Sequence, residues 1–239
     1  MLTVPWAGKA QQQTSFTLSK PDVSSSHKLR LWATHYNLYL ATMVSPGGLS
    51  FKDREGKAIS DPVSAKDWCL GAIEGTIRVS YQGSFETINF AGRTKFQQVD
   101  CAQVLSIDPR VKPWIHDTSK SFFAPAKGIW GDGVNGYKLV PFRSIAVDKR
   151  YIPYGSVVFI PAMRGAKMAL PTGGDIVHDG FFFAADTGKA IIGNHVDIYC
   201  GEVSTNCMPS VIKSNCKELF DAFLVDDSDI AEQLDRLHR

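Results

Sequence analysis

The chain has 239 residues, 44% hydrophobic and 21% charged, with a formal net charge of +2. That composition is ordinary for a soluble globular protein, and the length suits one sizeable core, since all-β folds of this size are often single domains. The small net charge, with no Lys/Arg run, argues against a nucleic-acid binder, and no stretch is long and apolar enough for a transmembrane helix.

Residues 1–28 are rich in Gln, Ser, Thr and Lys and broken by Pro5 and Pro21, which predicts an extended N-terminal arm. The opening MLTVPWAGKAQQQTSF lacks the basic head and apolar run of a signal peptide. Leu29 to Ala41 has the β-branched and aromatic character of a strand, with Trp32 and Tyr36 reading first as core aromatics. Residues 45–126 read as a lobe inserted after that strand. Ser45–Gly48 and Asp53–Pro62 are turn-rich, and Ser64 should N-cap a short helix ending near Gly71. Thr76–Tyr81 and Phe85–Phe90 alternate across Gln82-Gly83-Ser84, predicting a β-hairpin.

Ile129 to Arg143 is Gly-rich and aromatic, but the glycine and lysine spacings of a phosphate-binding loop are absent. Trp130, Asn135 and Tyr137 are instead candidates for ligand contacts, through ring stacking and amide hydrogen bonds. A packing or turn role is equally open for each. Strands are then predicted near Ser144–Val147, Ser156–Pro161, Gly180–Ala185 and His195–Tyr199. Leu219–Val225 is a candidate closing strand, with a helical turn as the alternative. Residues 227–239 place acids first, Ile230, Leu234 and Leu237 on one face and basic residues last, the pattern of an amphipathic C-terminal helix.

Three apolar runs end on or contain an acid: Asp148 after Ile145–Val147, Asp186 after Phe181–Ala185, and Asp197 between Val196 and Ile198. A buried unpaired carboxylate is costly, so three of them suggest strands that return to one polar spot. The plainer alternatives are a turn cap for Asp148 and an Asx-type turn for Asp186 ahead of Thr187-Gly188. The five cysteines include no C-x-x-C pair, which argues against a zinc site. Two of Cys200, Cys207 and Cys216 could staple that loop in an oxidising compartment, and Cys69 with Cys101 could form a second pair, buried free thiols being the alternative. No G-x-S-x-G elbow supports a serine hydrolase.

The segments AVDKRYIPYGS, AADTGKAIIG and HVDIYCG, in that order, resemble the 3D (three-aspartate) domain of the MltA-type lytic transglycosylases. A weaker echo occurs at Trp32–Tyr36. The resemblance implies an all-β fold, a six-stranded double-psi β-barrel over residues 29–226 with residues 45–126 as an inserted lobe and few short helices. It also implies that the separate second domain of the larger MltA enzymes is missing. Peptidoglycan glycan strands would be the partner, cut at the β-1,4 bond between MurNAc and GlcNAc to leave 1,6-anhydroMurNAc ends, with no cofactor or metal.

Residue by residue, Asp197 matches the family's catalytic acid and Asp186 the adjacent aspartate. Asp148 is expected to be a supporting or structural group, with Thr187 beside it. Lys189 stands where the family commonly has glycine, and with His195 it joins Trp130, Asn135 and Tyr137 as a candidate substrate contact. The implied setting is the cell envelope, periplasmic or secreted, with the chain a monomer in its mature form and a start methionine added. A hydrolytic β-glycanase on the same barrel and an expansin-like binding module are the alternatives.

Overall fold

The computed structural model describes residues 16–169 and 174–239; most of the predicted arm, residues 1–15, lies outside them. Strand β1 (His27–Tyr36) buries Leu29, Leu31 and Ala33 on one face and leaves Arg30, Trp32, Thr34 and Tyr36 on the other, the period-two pattern of a pleated strand. The predicted single strand to Ala41 is broken here. Asn37 and Leu38 are buried at a corner, with the Leu38 amide donating to the Gly201 carbonyl, and Tyr39–Leu40 form β2 in a different sheet.

The lobe follows. Helix α1 (Ala65–Glu74) is N-capped by the Ser64 hydroxyl, as expected. It runs past Gly71 and stops at Gly75, which takes a left-handed φ of 83° and donates to the Gly71 carbonyl. Gly71 has a packing role instead: a Cβ there would meet Ile77 Cγ1 at 2.8 Å. Strands β3 (Thr76–Tyr81) and β4 (Ser84–Arg93) pair from Tyr81 with Ser84, so the hairpin turn is two residues, not three. Both turn residues, Gln82 and Gly83, have positive φ, matching the twist of the strands. Short helices α2 (Cys101–Val104) and α3 (Trp114–Thr118) and strand β5 (Ser121–Pro125) complete the lobe, whose sheet order is β2-β3-β4-β5.

This lobe has a core of its own, built on Phe51, Val63, Trp68, Ile77 and Phe123 and crossed by the Cys69–Cys101 disulfide. The insertion is large and apolar enough to bury its own centre.

Beyond it come β6 (Ser144–Ala146), β7 (Val157–Phe159), a two-stranded ribbon of β8 (Lys167–Ala169) and β9 (Asp175–Val177), then β10 (Phe181–Asp186), β11 (His195–Tyr199) and β12 (Phe220–Val225). The expected six-stranded barrel is closed in the order β1-β11-β6-β10-β7-β12, with β12 returning to β1. Two pairs, β1 with β11 and β6 with β10, are parallel. Leu31, Ile145, Phe182, Ala184, Val196 and Ile198 fill the interior. A second apolar layer, Phe159, Phe181, Phe183 and Tyr199, lies outside and is covered by Ile230 and Leu234 of helix α4 (Ser228–Leu237). With both faces covered, the motif strands read as continuous apolar runs. A second disulfide, Cys200–Cys207, staples the loop after β11, and Cys216 is free and exposed.

Candidate active site

Asp197 of β11 and Asp186 of β10 both lie opposite Ala146 of β6, one on each side. Neighbouring strands stand about 4.8 Å apart, so the two aspartate backbones are separated by about 10 Å across one small side chain. Strict alternation would turn Asp186 inward with Phe182 and Ala184. The ladder slips between Ala184 and Asp186, placing Ala185 as an extra residue and bringing Asp186 to the outer face. Gly133 makes room for that bulge, since a Cβ there would come within 2.2 Å of the Ala185 carbonyl oxygen.

Strand β1 adds two hydroxyls to the same face. Thr34 is in register with Asp197 and donates to its Oδ1 at 2.6 Å. Tyr36, two residues on, donates to Asp186 Oδ2 at 2.8 Å, and the Thr187 amide donates to Oδ1 at 2.8 Å. Burial pushes the Asp197 carboxyl up to about 6, against the opposing pull of the Thr34 hydrogen bond. Burial also pushes Asp186 up to about 6, with the charge of Asp197 adding and the Thr187 and Tyr36 donors opposing. Tyr36 is held protonated, chiefly by burial and then by Asp186, so it remains a donor.

A third carboxyl comes from the lobe. Glu74, the last residue of α1, accepts from the Asn37 amide at 3.0 Å, just beyond Tyr36. Burial raises it, and the negative charge of Asp197 raises it further. Asp148 is different in kind. Its carboxylate takes the Arg150 guanidinium at 2.7 and 3.0 Å and the amides of Arg150 and Gly193 at 3.0 Å. The Arg150 side chain, with those amides, holds it well below the usual carboxylate range. Asp148 thus ties the end of β6 to the loop before β11. Asp179 forms a buried two-pronged pair with Arg143 at 2.5 and 2.7 Å.

His195 is 7% exposed and stacked on Trp32, with ring centroids 3.6 Å apart. Its Nε2 is 2.9 Å from Thr34 Oγ1. Lys189 is exposed and reaches Asp117 of α3 at 3.1 Å, joining the barrel loop to the lobe. Trp130 lies under the Arg78 guanidinium, 5.1 Å from its carbon to the ring centre, and its carbonyl accepts from the Tyr199 hydroxyl at 2.7 Å. The Tyr199 ring in turn packs on Tyr36 at 5.0 Å. Tyr137 is buried edge-on against Phe183 with Arg239 over its face, while Asn135 is exposed and its carbonyl faces Arg239. The structure therefore gathers Asp186, Asp197 and His195 around Thr34 and Tyr36, with Thr187 and Trp130 adjoining. Asn135 and Tyr137 are engaged with the C-terminal residues. Among the described residues no group of three His, Cys, Asp or Glu side chains is arranged to hold a metal ion.

Residues 143–208 match the 3D domain. A membrane-bound lytic murein transglycosylase from Agrobacterium tumefaciens superposes with a TM-score of 0.51 at 18% identity, over 87% of this chain and 78% of that one. E. coli MltA with bound chitohexaose gives a TM-score of 0.49 at 16% identity, over 82% and 71%. At these identities the likeness is one of fold. No curated protein matches the chain.

The 3D-domain segment holds all three aspartates, yet their partners Thr34, Tyr36 and Glu74 lie outside it. Thr34 and Tyr36 had a signal in the weak echo at Trp32–Tyr36. Glu74 had none, because an acid at the end of a short helix looks like an ordinary surface residue until the lobe is placed beside the barrel. Among the described residues no helix is long and apolar enough to cross a membrane.

Proposed function

We propose that this protein cuts peptidoglycan glycan strands as a lytic transglycosylase, at the β-1,4 bond between MurNAc and GlcNAc. The observation that carries this reading is the Asp186–Asp197 pair, two half-buried carboxyls each pushed up to about 6 on one barrel face of a 3D-domain match. The fold shared with a lytic murein transglycosylase supports the same class of activity. Cleavage needs a proton for the leaving oxygen and stabilisation of an oxocarbenium-like centre. A carboxyl near 6 retains a protonated fraction near neutrality and is a competent general acid there.

In this reading Asp197 protonates the glycosidic oxygen as the C1–O4 bond breaks. Asp186, oriented by Tyr36 and Thr187, supplies negative charge beside the developing cation. The Asp197 carboxylate then takes the proton from the C6 hydroxyl of the muramoyl sugar, and O6 closes on C1. The new C1–O6 bond replaces the broken one, the proton is back on Asp197, and no water or cofactor is consumed. The lobe is tied to this side of the barrel through Glu74 and the Lys189–Asp117 bridge. Trp130 offers a ring for a sugar face. Two disulfides suit an oxidising compartment, so the protein is assigned to the cell envelope, periplasmic or secreted. The protein is taken to act as a monomer.

The test is product analysis of purified sacculi by mass spectrometry. The wild-type protein is expected to release muropeptides with 1,6-anhydro ends. Asp197→Asn should fold and lose that activity by a factor on the order of 10²–10⁴, the usual contribution of general acid–base catalysis. Release of reducing-end products would instead mean hydrolysis on the same barrel, and no release by the wild type would mean a binding module.

A further inference from the structure

The hydrogen bond from Thr34 to Asp197 is one link of a longer chain. Thr34 Oγ1 lies 2.6 Å from Asp197 Oδ1 and 2.9 Å from His195 Nε2. The other ring nitrogen, Nδ1, faces the Ala190 carbonyl oxygen at 3.3 Å. Trp32 stacks on the imidazole with 6° between the planes and holds the ring in this setting. A carbonyl can only accept, so Nδ1 carries a hydrogen. Burial lowers the proton affinity of His195, which keeps the ring neutral and leaves Nε2 as an acceptor. The single hydrogen of Thr34 therefore has two rival acceptors, Nε2 and the Asp197 carboxyl.

We propose that His195, acting through the Thr34 hydroxyl, is a positioning residue that keeps the proton on Asp197 until substrate takes it. With Asp197 protonated, its O–H donates to Thr34, Thr34 donates to Nε2, and Nδ1–H donates to Ala190, so every hydrogen has a partner. With Asp197 ionised, Thr34 must turn to the carboxylate, and Nε2 is left facing an oxygen with no hydrogen between them. One link of the chain is lost on ionisation.

During turnover the glycosidic oxygen competes for the Asp197 hydrogen. As that hydrogen leaves, the Thr34 hydroxyl swings from Nε2 to the new carboxylate, and it swings back when Asp197 recovers a proton from the C6 hydroxyl. This role in turnover rests on the proposed function; the arrangement of hydrogens does not. The other groups that feel the charge of Asp197 are Tyr36 on β1, Asp186 on β10 and Glu74 of the lobe. They form a background that the variants below leave in place.

Two variants of the full chain separate the acceptor from the donor. His195→Phe keeps a ring on Trp32 but removes the rival acceptor, so Thr34 is free to serve the carboxylate. Thr34→Val removes the hydroxyl that links His195 to Asp197. The titration of Asp197 is followed by ¹³C NMR of the aspartate carboxyl carbons, its signal being the one missing in Asp197→Asn. The Asp197 midpoint is expected to fall by about half to one pH unit in His195→Phe, the effect of one hydrogen bond, and the same replacement is expected to leave it unmoved once Thr34→Val has removed the link. The wild-type ¹⁵N spectrum should show the neutral imidazole with its hydrogen on Nδ1.

A midpoint that rises or does not move in His195→Phe, or that falls as far when Thr34→Val is already present, overturns the proposal, as does a wild-type imidazole with its hydrogen on Nε2. The last measurement needs no variant to fold. If the midpoints behave as expected while sacculi stay intact, the proposed function fails and the hydrogen arrangement stands.

Discussion

Asp197→Asn should stabilise the protein at neutral pH. The Asp197 carboxyl moves from an ordinary value of 3.8 to about 6 in the fold, with burial the main cause. A group raised on folding binds its proton more tightly in the native state. Its contribution to stability is complete below about pH 4 and is lost as pH climbs through about 6. A rise of about two pH units corresponds to about 3 kcal/mol, the cost of holding the buried carboxylate ionised above that range. Asparagine carries no such cost and keeps an oxygen for the Thr34 hydroxyl, although its amide hydrogens replace an acceptor. A net gain of about 1–2 kcal/mol remains, or roughly 2–8 °C in Tm for a protein of this length. Calorimetric melts of the disulfide-intact wild type and variant, at about pH 4 and about pH 7.5, read the difference directly. The gain should appear at the higher pH and vanish at the lower one. Equal melting temperatures at about pH 7.5, or the same gain at both, would show that the Asp197 site does not disfavour its charge.

Gly133→Ala should cost about 1–3 kcal/mol by overpacking, because its new methyl would stand 2.2 Å from the Ala185 carbonyl oxygen; an unchanged melt would mean that the bulge yields freely. Asp148→Asn should lower Tm near neutrality and converge with the wild type in acid. The depressed carboxyl gives stability that is present above its unfolded value and lost as pH falls through the folded one, and a gap that widens in acid would contradict this. Replacing Cys69 and Cys101 together by Ser should destabilise the lobe by about 3–4 kcal/mol, from chain entropy at a separation of 32 residues. Losing Cys200–Cys207, only 7 residues apart, should cost about 2 kcal/mol; urea melts of the two double variants compare them.

The two carboxyls of the site were legible because Asp186 and Asp197 interrupt runs that otherwise bury every residue. The amphipathic C-terminal helix was legible from its local apolar spacing, while the closing strand at Phe220–Val225 stood against a helical turn as its alternative. What the sequence hid was tertiary. The phase of Asp186 depends on a bulge that alternation cannot foresee, and Thr34 meets Asp197 across 163 residues. The helix expected to end near Gly71 continued because that glycine serves a close contact with Ile77, and the left-handed stop falls four residues later. The strand drawn through Ala41 was cut at Asn37-Leu38 because the chain leaves the barrel there for the lobe.

The pairing of β1 with both β11 and β12 has a consequence for assembly. The lobe is knitted from neighbours: α1 runs into β3, and β3 turns into β4 within two residues. Barrel closure instead joins segments such as Arg30 and Asp221, 191 residues apart. Distant contacts bear the larger loop-closure entropy and form late. The lobe can therefore reach its native core while β11 and β12 are still unsynthesised or in transit, whereas Thr34 has no Asp197 to meet until the far end of the chain docks. The lobe can thus form before the acid pair, and the site comes into being in the same step that closes the barrel.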